Sequence, residues 1–227
     1  MKKLFLGFLA LLVPVFANAG DYTSQLVVQT GLLRESDLVV RNVTDLISKK
    51  TCLAFYVRTA GTSSVIDCYD VIGDFGTTIR QVGHIKQDEI IIRKIEDTKN
   101  KRVCLVAYVS TPGTSPAVDC YTTAHKFKDN LEMDAHLREG DLSIRRINDG
   151  GAQRTCLVAY VDTKGTSPSV SCYASTPKGV GSLKQISKMK EGDLVVRKVQ
   201  DNANNKACMV TYVSTEGTDS HLYCFDE

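Results

Sequence analysis

Apolar and polar residues alternate along this chain in short runs, and the runs recur. The stretch "DLVVRNV" from Asp37 returns as "EIIIRKI" from Glu89, "DLSIRRI" from Asp141 and "DLVVRKV" from Asp193. Such β-branched runs bounded by polar residues predict strands. Two further runs flank a Gly-Thr turn in "CLVAYVSTPGTSPAVDCY", Cys104 to Tyr121, with copies "CLAFYVRTAGTSSVIDCY", "CLVAYVDTKGTSPSVSCY" and "CMVTYVSTEGTDSHLYCF". A weaker segment leads each unit, "QLVVQTGLL", "TTIRQVGHI", "NLEMDAHL" or "SLKQISKM", with the equivalent apolar positions Val27, Ile79, Leu131 and Leu183 near its start. In the third and fourth units that segment also suits a short helix. Turn signals such as "EGD" at Glu139 to Asp141 and "NDGG" at Asn148 to Gly151 separate the runs.

The repeat has no insertions. Leading cysteines Cys52, Cys104, Cys156 and Cys208, and trailing cysteines Cys68, Cys120, Cys172 and Cys224, both step by 52. Residues 20–227 number 208, four times 52, giving units 20–71, 72–123, 124–175 and 176–227. One such unit is too small to bury an adequate core, so the units must pack on each other. An open stack needs polar capping units at its ends, and neither end unit is shortened or markedly more polar. The expected fold is therefore all-β, four β-meander repeats closed into a four-bladed propeller-like ring. The alternatives are two sandwich-like domains of two repeats each, divided near Thr123, or an open β array.

The hairpin register follows from its turn. A three-residue loop of Thr111, Pro112 and Gly113, with glycine in the left-handed position, pairs Ser110 with Thr114, Tyr108 with Pro116, Val106 with Val118 and Cys104 with Cys120. Directly opposed residues of antiparallel strands lie within disulfide reach. The pairs predicted are Cys52 with Cys68, Cys104 with Cys120, Cys156 with Cys172 and Cys208 with Cys224. The third strand, apolar on both faces, reads as interior, and the fourth reads as nearer an edge.

Cysteine usage and the N-terminus agree on compartment. Lys2 and Lys3, an apolar run from Leu4 to Phe16 and then Ala17-Asn18-Ala19 have the layout of a cleaved signal peptide, residues 1–19. Eight cysteines in an exported chain read as disulfides rather than metal ligands, and no CxxC pair occurs. A periplasmic or extracellular protein is expected, with no membrane insertion of the mature chain. Removing the two leader lysines from 28 basic residues leaves 26 against 26 acidic ones. A neutral chain without a basic stripe lacks the electrostatic footprint of a nucleic-acid binder.

Candidate chemistry is repeated like everything else. An acid precedes the second strand (Asp37, Glu89, Asp141, Asp193), an arginine ends its apolar run (Arg41, Arg93, Arg145, Arg197), and an aspartate follows four later (Asp45, Asp97, Asp149, Asp201). The arginines read either as an anion-attracting ring around a channel or as partners of the nearby aspartates in closing a turn. Loop threonines Thr59, Thr62, Thr111, Thr114, Thr163, Thr166, Thr215 and Thr218 offer hydroxyls on one rim for a polar ligand, or simply suit tight turns. Tyr56, Tyr108, Tyr160 and Tyr212 read as a stacking platform or, sharing a face with the disulfide, as packing residues. No general-base position repeats, since His84 and His136 align with Leu32 and Lys188, and no GxSxG, HExxH or phosphate-loop motif occurs. The expected role is non-catalytic binding of a glycan or protein through rim loops, with no metal and no cofactor. The alternatives are a structural protein assembling through uncovered strand edges, and a hydrolase with its site where the units differ.

Overall fold

The computed structural model describes residues 27–71, 78–123, 130–175 and 182–226; the leader lies outside them. Every element in them is β. The first unit contributes β1 (Val27–Glu35), β2 (Leu38–Asp45), β3 (Lys50–Val57) and β4 (Val65–Asp70). The second contributes β5 (Ile79–Gln87), β6 (Ile90–Asp97), β7 (Arg102–Val109) and β8 (Ala117–Thr122). The third has β9 (Leu131–Glu139), β10 (Leu142–Asp149), β11 (Arg154–Val161) and β12 (Ser169–Ala174), and the fourth β13 (Leu183–Glu191), β14 (Leu194–Asp201), β15 (Lys206–Val213) and β16 (His221–Asp226). Each unit is one four-stranded antiparallel meander, and the leading segment is a strand in all four. It carries a one-residue bulge at the same place each time, at Thr30, Val82, Asp134 and Ile186.

The hairpin register holds where it matters. Cys104 faces Cys120 and Val106 faces Val118. All four predicted disulfides form, each with Cα atoms 4.0 Å apart. The loop is wider than predicted, because β7 ends at Val109 and β8 begins at Ala117. Its backbone bonds sideways instead of across the hairpin: Gly113 N donates to Ala60 O at 2.8 Å, and Ser115 N to Ser167 Oγ at 2.9 Å. Gly113 takes the expected left-handed conformation, with φ of +84°.

Strand alternation gives each sheet two faces, and both are used. One face of sheet 2, with Ile91, Ile95, Cys104, Val106 and Tyr108, packs on Leu38, Val40, Leu53, Phe55 and Val57 of sheet 1. Its other face, with Ile90, Ile92, Leu105, Ala107 and Val109, packs on Ile147, Cys156, Val158 and Tyr160 of sheet 3. Sheet 3 meets sheet 4 in the same way, through Leu142, Ile144, Leu157, Ala159 and Val161 against Val195, Val199, Val210 and Tyr212. The middle sheets are thus apolar on both sides, which is why β7 is buried from Val103 to Val109.

The contacts among the described residues do not show the closed ring expected from the sequence. Blades radiating from an axis touch along inner strands and diverge at outer ones. Here consecutive sheets touch along both edges, β1 to β5, β5 to β9 and β9 to β13 on one side, and β4 to β8, β8 to β12 and β12 to β16 on the other. No apolar cluster joins sheet 4 to sheet 1 among the described residues. Consecutive layers lie face to face, and no closed sheet or barrel forms among the described residues. Nor does the row break near Thr123, since the sheet 2 to sheet 3 junction carries a continuous apolar cluster.

Candidate functional site

Two sets of turns share one rim of the stack. The β1–β2 type connection is a two-residue hairpin loop whose first residue has positive φ, at Ser36 (59°), Asp88 (52°), Gly140 (65°) and Gly192 (57°). The second residue of each is the repeated acid. Beside it stands the glycine-tipped loop of the same unit, tied by Arg58 N to Asp37 O and Asp162 N to Asp141 O, both 2.8 Å. Neighbouring glycine tips touch so closely that a Cβ on Gly165 would sit 3.4 Å from Gly217 Cα.

The acid of one sheet is the anchor for the next. Tyr108 Oη donates to Asp37 at 2.9 Å and Tyr212 Oη to Asp141 at 2.8 Å. The arginine completes a triad: Arg93 Nε donates to Tyr108 Oη at 2.8 Å, and Arg197 Nη2 reaches both Tyr212 Oη (2.9 Å) and Asp141 (3.3 Å). Burial, ahead of every charge, pushes the Tyr108 phenol up to about 12.

Between sheets 2 and 3 this triad is rearranged. The acid is Glu89 rather than aspartate, and Tyr160 Oη reaches it at 3.3 Å. Ser143 occupies the position held by Val39, Ile91 and Val195. Arg145 turns to Ser143 Oγ (2.9 Å) and Asp88 (2.9 Å) instead of the tyrosine hydroxyl. His136 Nε2 lies 2.8 Å from the same Ser143 Oγ, and burial first, then the Arg145 charge, lowers the imidazole below its ordinary range. Burial and then Glu89 push Tyr160 up to about 12.

A cleft opens there. It has a volume of about 590 Å³ and is walled by Glu89, Pro112, Tyr160, Asp162 and Lys164, with Thr111 and Thr163 on its lip. A smaller recess of about 260 Å³ adjoins it through Glu89, Tyr160 and Asp162 and adds Arg138, which pairs with Asp162 at 3.0 Å. Carboxylates, a guanidinium, hydroxyls and one apolar ring converge, the donor set of a polar, uncharged or zwitterionic ligand.

The other predicted site residues are placed as follows. Arg93, Arg145 and Arg197 are 3–6% exposed, each buried between its own sheet and the preceding one, and Arg41 lies half-buried on the outer face of sheet 1, donating to Gln29 at 2.5 Å. They occupy successive layers of the row. None pairs with the aspartate four residues later, because four residues of strand separate the two by about 13 Å. Those aspartates close the β2–β3 type turns without these arginines, as in Asp149 accepting from Ala152 N at 3.1 Å and Asp201 from Ala203 N at 3.0 Å. They also receive a tyrosine of the preceding sheet: Tyr69 to Asp97 (2.6 Å), Tyr121 to Asp149 (2.8 Å) and Tyr173 to Asp201 (2.6 Å). Three of the loop threonines donate into their own loop, Thr62 to Val57 O, Thr114 to Val109 O and Thr218 to Val213 O, all at 2.8 Å, and Thr166 pairs with Thr163 at 2.5 Å. Thr59 donates to Thr111 O at 3.4 Å, and Thr215 O accepts from Thr218.

Asp88, Ser143, Arg138 and Asp162 were not singled out by sequence. The available signal was that Asp88 and Ser143 break the repeat. Among the described residues the one grouping of metal-ligand type is Asp67 with Cys104 and Cys120, whose sulfurs are bonded to each other. No helix among the described residues is long and apolar enough to cross a membrane. Four disulfides are typical of proteins from oxidising compartments. No protein-family model matches the chain, and no curated protein is detectably similar to it.

Proposed function

We propose that this is an exported, non-catalytic binding protein, a leader of residues 1–19 followed by one four-repeat domain of residues 20–227, that holds a glycan or a segment of a partner protein at its loop rim. The carrying observation is the cleft between sheets 2 and 3, the place where the repeat's own Arg–Tyr–acid triad is broken and its groups are redirected. Glycan binding is the better fit, because Glu89 and Asp162 present planar polar groups in the cleft that Pro112 also lines, with Arg138 in the adjoining recess, a combination that suits sugar hydroxyls together with their apolar faces.

A hydrolytic reading centres on His136 and Ser143. The serine oxygen already accepts from Arg145 Nη1, and among the described residues no hydrogen bond orients the second ring nitrogen of His136. A base without an orienting partner lacks the triad arrangement that activates a nucleophile. The test is a glycan array probed with the purified protein, followed by titration calorimetry on the retained class. Glu89→Gln and Asp162→Asn should each weaken binding about tenfold, the worth of one charge-assisted hydrogen bond. If no glycan is retained and a captured partner protein binds both variants as well as the wild type, the cleft is not the site.

A further inference from the structure

The three junctions repeat one interface, and each end of the stack carries half of it. On the outer face of sheet 4, Leu194 is 42% and Val213 36% exposed, whereas Leu38, Ile90 and Leu142, and Val57, Val109 and Val161, at the same positions of inner junctions, are at most 1% exposed. The outer face of sheet 1 shows the complementary half: Ile66 is 62% exposed, while Val118 and Val170, its equivalents, pack into inner clusters.

The polar halves match as well. Asp193 is exposed at the position where Asp37, Glu89 and Asp141 each accept a tyrosine hydroxyl from the following sheet. Tyr56 and Arg41, on the outer face of sheet 1, stand where Tyr108 and Arg93, or Tyr212 and Arg197, supply those groups.

We propose that copies of this chain stack head to tail, sheet 4 of one against sheet 1 of the next, with Tyr56 donating to Asp193 and Arg41 beside them. The occupant of each end is a second copy because the junction it makes continues an interface already formed three times within the chain. The contact is heterologous and nothing in a face-to-face row closes it, so it propagates as a filament. Assembly in this proposal runs through sheet faces, not through the strand edges of the structural alternative offered by the sequence. Two departures make this junction weaker than the inner ones. Phe225 has no hydroxyl where Tyr69, Tyr121 and Tyr173 bond the next sheet, and Asp45 accepts from Ile47 N and Ser48 Oγ of its own turn. Thr211 replaces the apolar Phe55, Ala107 and Ala159. The assembly is therefore reversible with concentration.

The test is sedimentation velocity on the exported protein over a wide concentration range, with two variants, Leu194→Lys on one end and Ile66→Glu on the other. Wild type should give sizes rising in whole-chain steps. Each variant alone should stay a single chain, and an equimolar mixture should give a two-chain species and nothing larger, because each supplies the end the other lacks. Both changes are at exposed positions; intact disulfides and an unchanged far-UV spectrum check the fold, and Val213→Lys with Ile66→Lys, whose altered ends repel each other, provides a second pair. A wild type that stays a single chain at every concentration overturns the proposal. So does either variant that still self-associates, which means like faces meet, or a mixture that remains single-chain.

Discussion

Replacing Arg146 with methionine tests whether the layers are held by their buried polar links. Arg146 is 1% exposed between sheets 3 and 4; its Nε donates to Asp201 at 3.0 Å and its Nη1 to Asp134 at 2.6 Å. Methionine fills much of the volume of the stem but leaves two carboxylates, one of them fully buried, without a cation. Removing one partner of a buried pair costs roughly 3–5 kcal/mol. The lower end applies, about 3 kcal/mol, because Asp201 keeps Tyr173 Oη, Asn204 Nδ2 and Ala203 N as donors. With an m-value of about 2 kcal/mol/M in urea, the midpoint falls by more than about 1 M. The assay is equilibrium urea unfolding with disulfides intact, followed by tyrosine fluorescence. Pairing Arg146→Met with Asp201→Asn removes the orphaned charge and should recover about half the loss, since a well-packed apolar substitute for a buried pair is often neutral. Arg146→Lys, which copies Lys94 and its 2.9 Å bond to Asp149, should cost about 1 kcal/mol. A loss below about 1 kcal/mol for Arg146→Met, or a double variant no more stable than the single one, would refute the reasoning.

Three other outcomes follow from the same contacts. Tyr108 and Tyr160 titrate near 12 when folded and near 10 when unfolded, so the stability they confer is whole below pH 10 and falls at roughly 1.4 kcal/mol per pH unit per tyrosine as pH rises toward 12; unfolding free energies measured from pH 8 to pH 12 check this. Mild reductant should open Cys52–Cys68 first, because Cys68 is exposed while Cys104, Cys156 and Cys208 are at most 1% exposed, and timed alkylation with peptide mass spectrometry gives the order. Gly113→Ala should destabilise by about 1–2 kcal/mol through φ of +84° alone, since a Cβ there meets nothing within 4 Å; a thermal scan showing no change would place the cost elsewhere.

Strands, loops and staples were legible because their causes are local. Alternation along "CLVAYV" and a fixed 16-residue span between cysteines determine which residues oppose each other, whatever lies beyond the unit. The loop is wider than its own residues imply because a neighbouring unit intervenes, through Gly113 N on Ala60 O. Ring against row was not legible for the same reason. Closure depends on the wedge between consecutive sheets, and that wedge is set by how side chains of both edge strands fill the space between layers about 10 Å apart. Uncapped end units do not by themselves imply closure, since Leu194 and Ile66 remain uncovered on one chain.

The arginines show what a repeat conceals. Arg41 and Asp45 are near in sequence, but in a strand the nearest chemistry lies across the sheet or on the next one, which is why Arg197 meets Asp141 at a separation of 56 and Tyr212 meets Asp141 at 71. Once the register is fixed, every residue faces the layer before or behind at a constant offset, and strict repetition at that offset serves stacking. In the proposed binding role, specific contacts come from positions that break it. Asp88, Glu89 and Ser143 each depart from their counterparts, lie on two neighbouring units, and come together through Arg145 and Tyr160 in the one junction where the triad fails to form. Restoring the repeat there, with Glu89→Asp and Ser143→Val, should rebuild the Arg–Tyr–acid triad and close the cleft with no loss of stability; ligand retention that survives this double change would mean that repetition itself, and not the break in it, carries the binding.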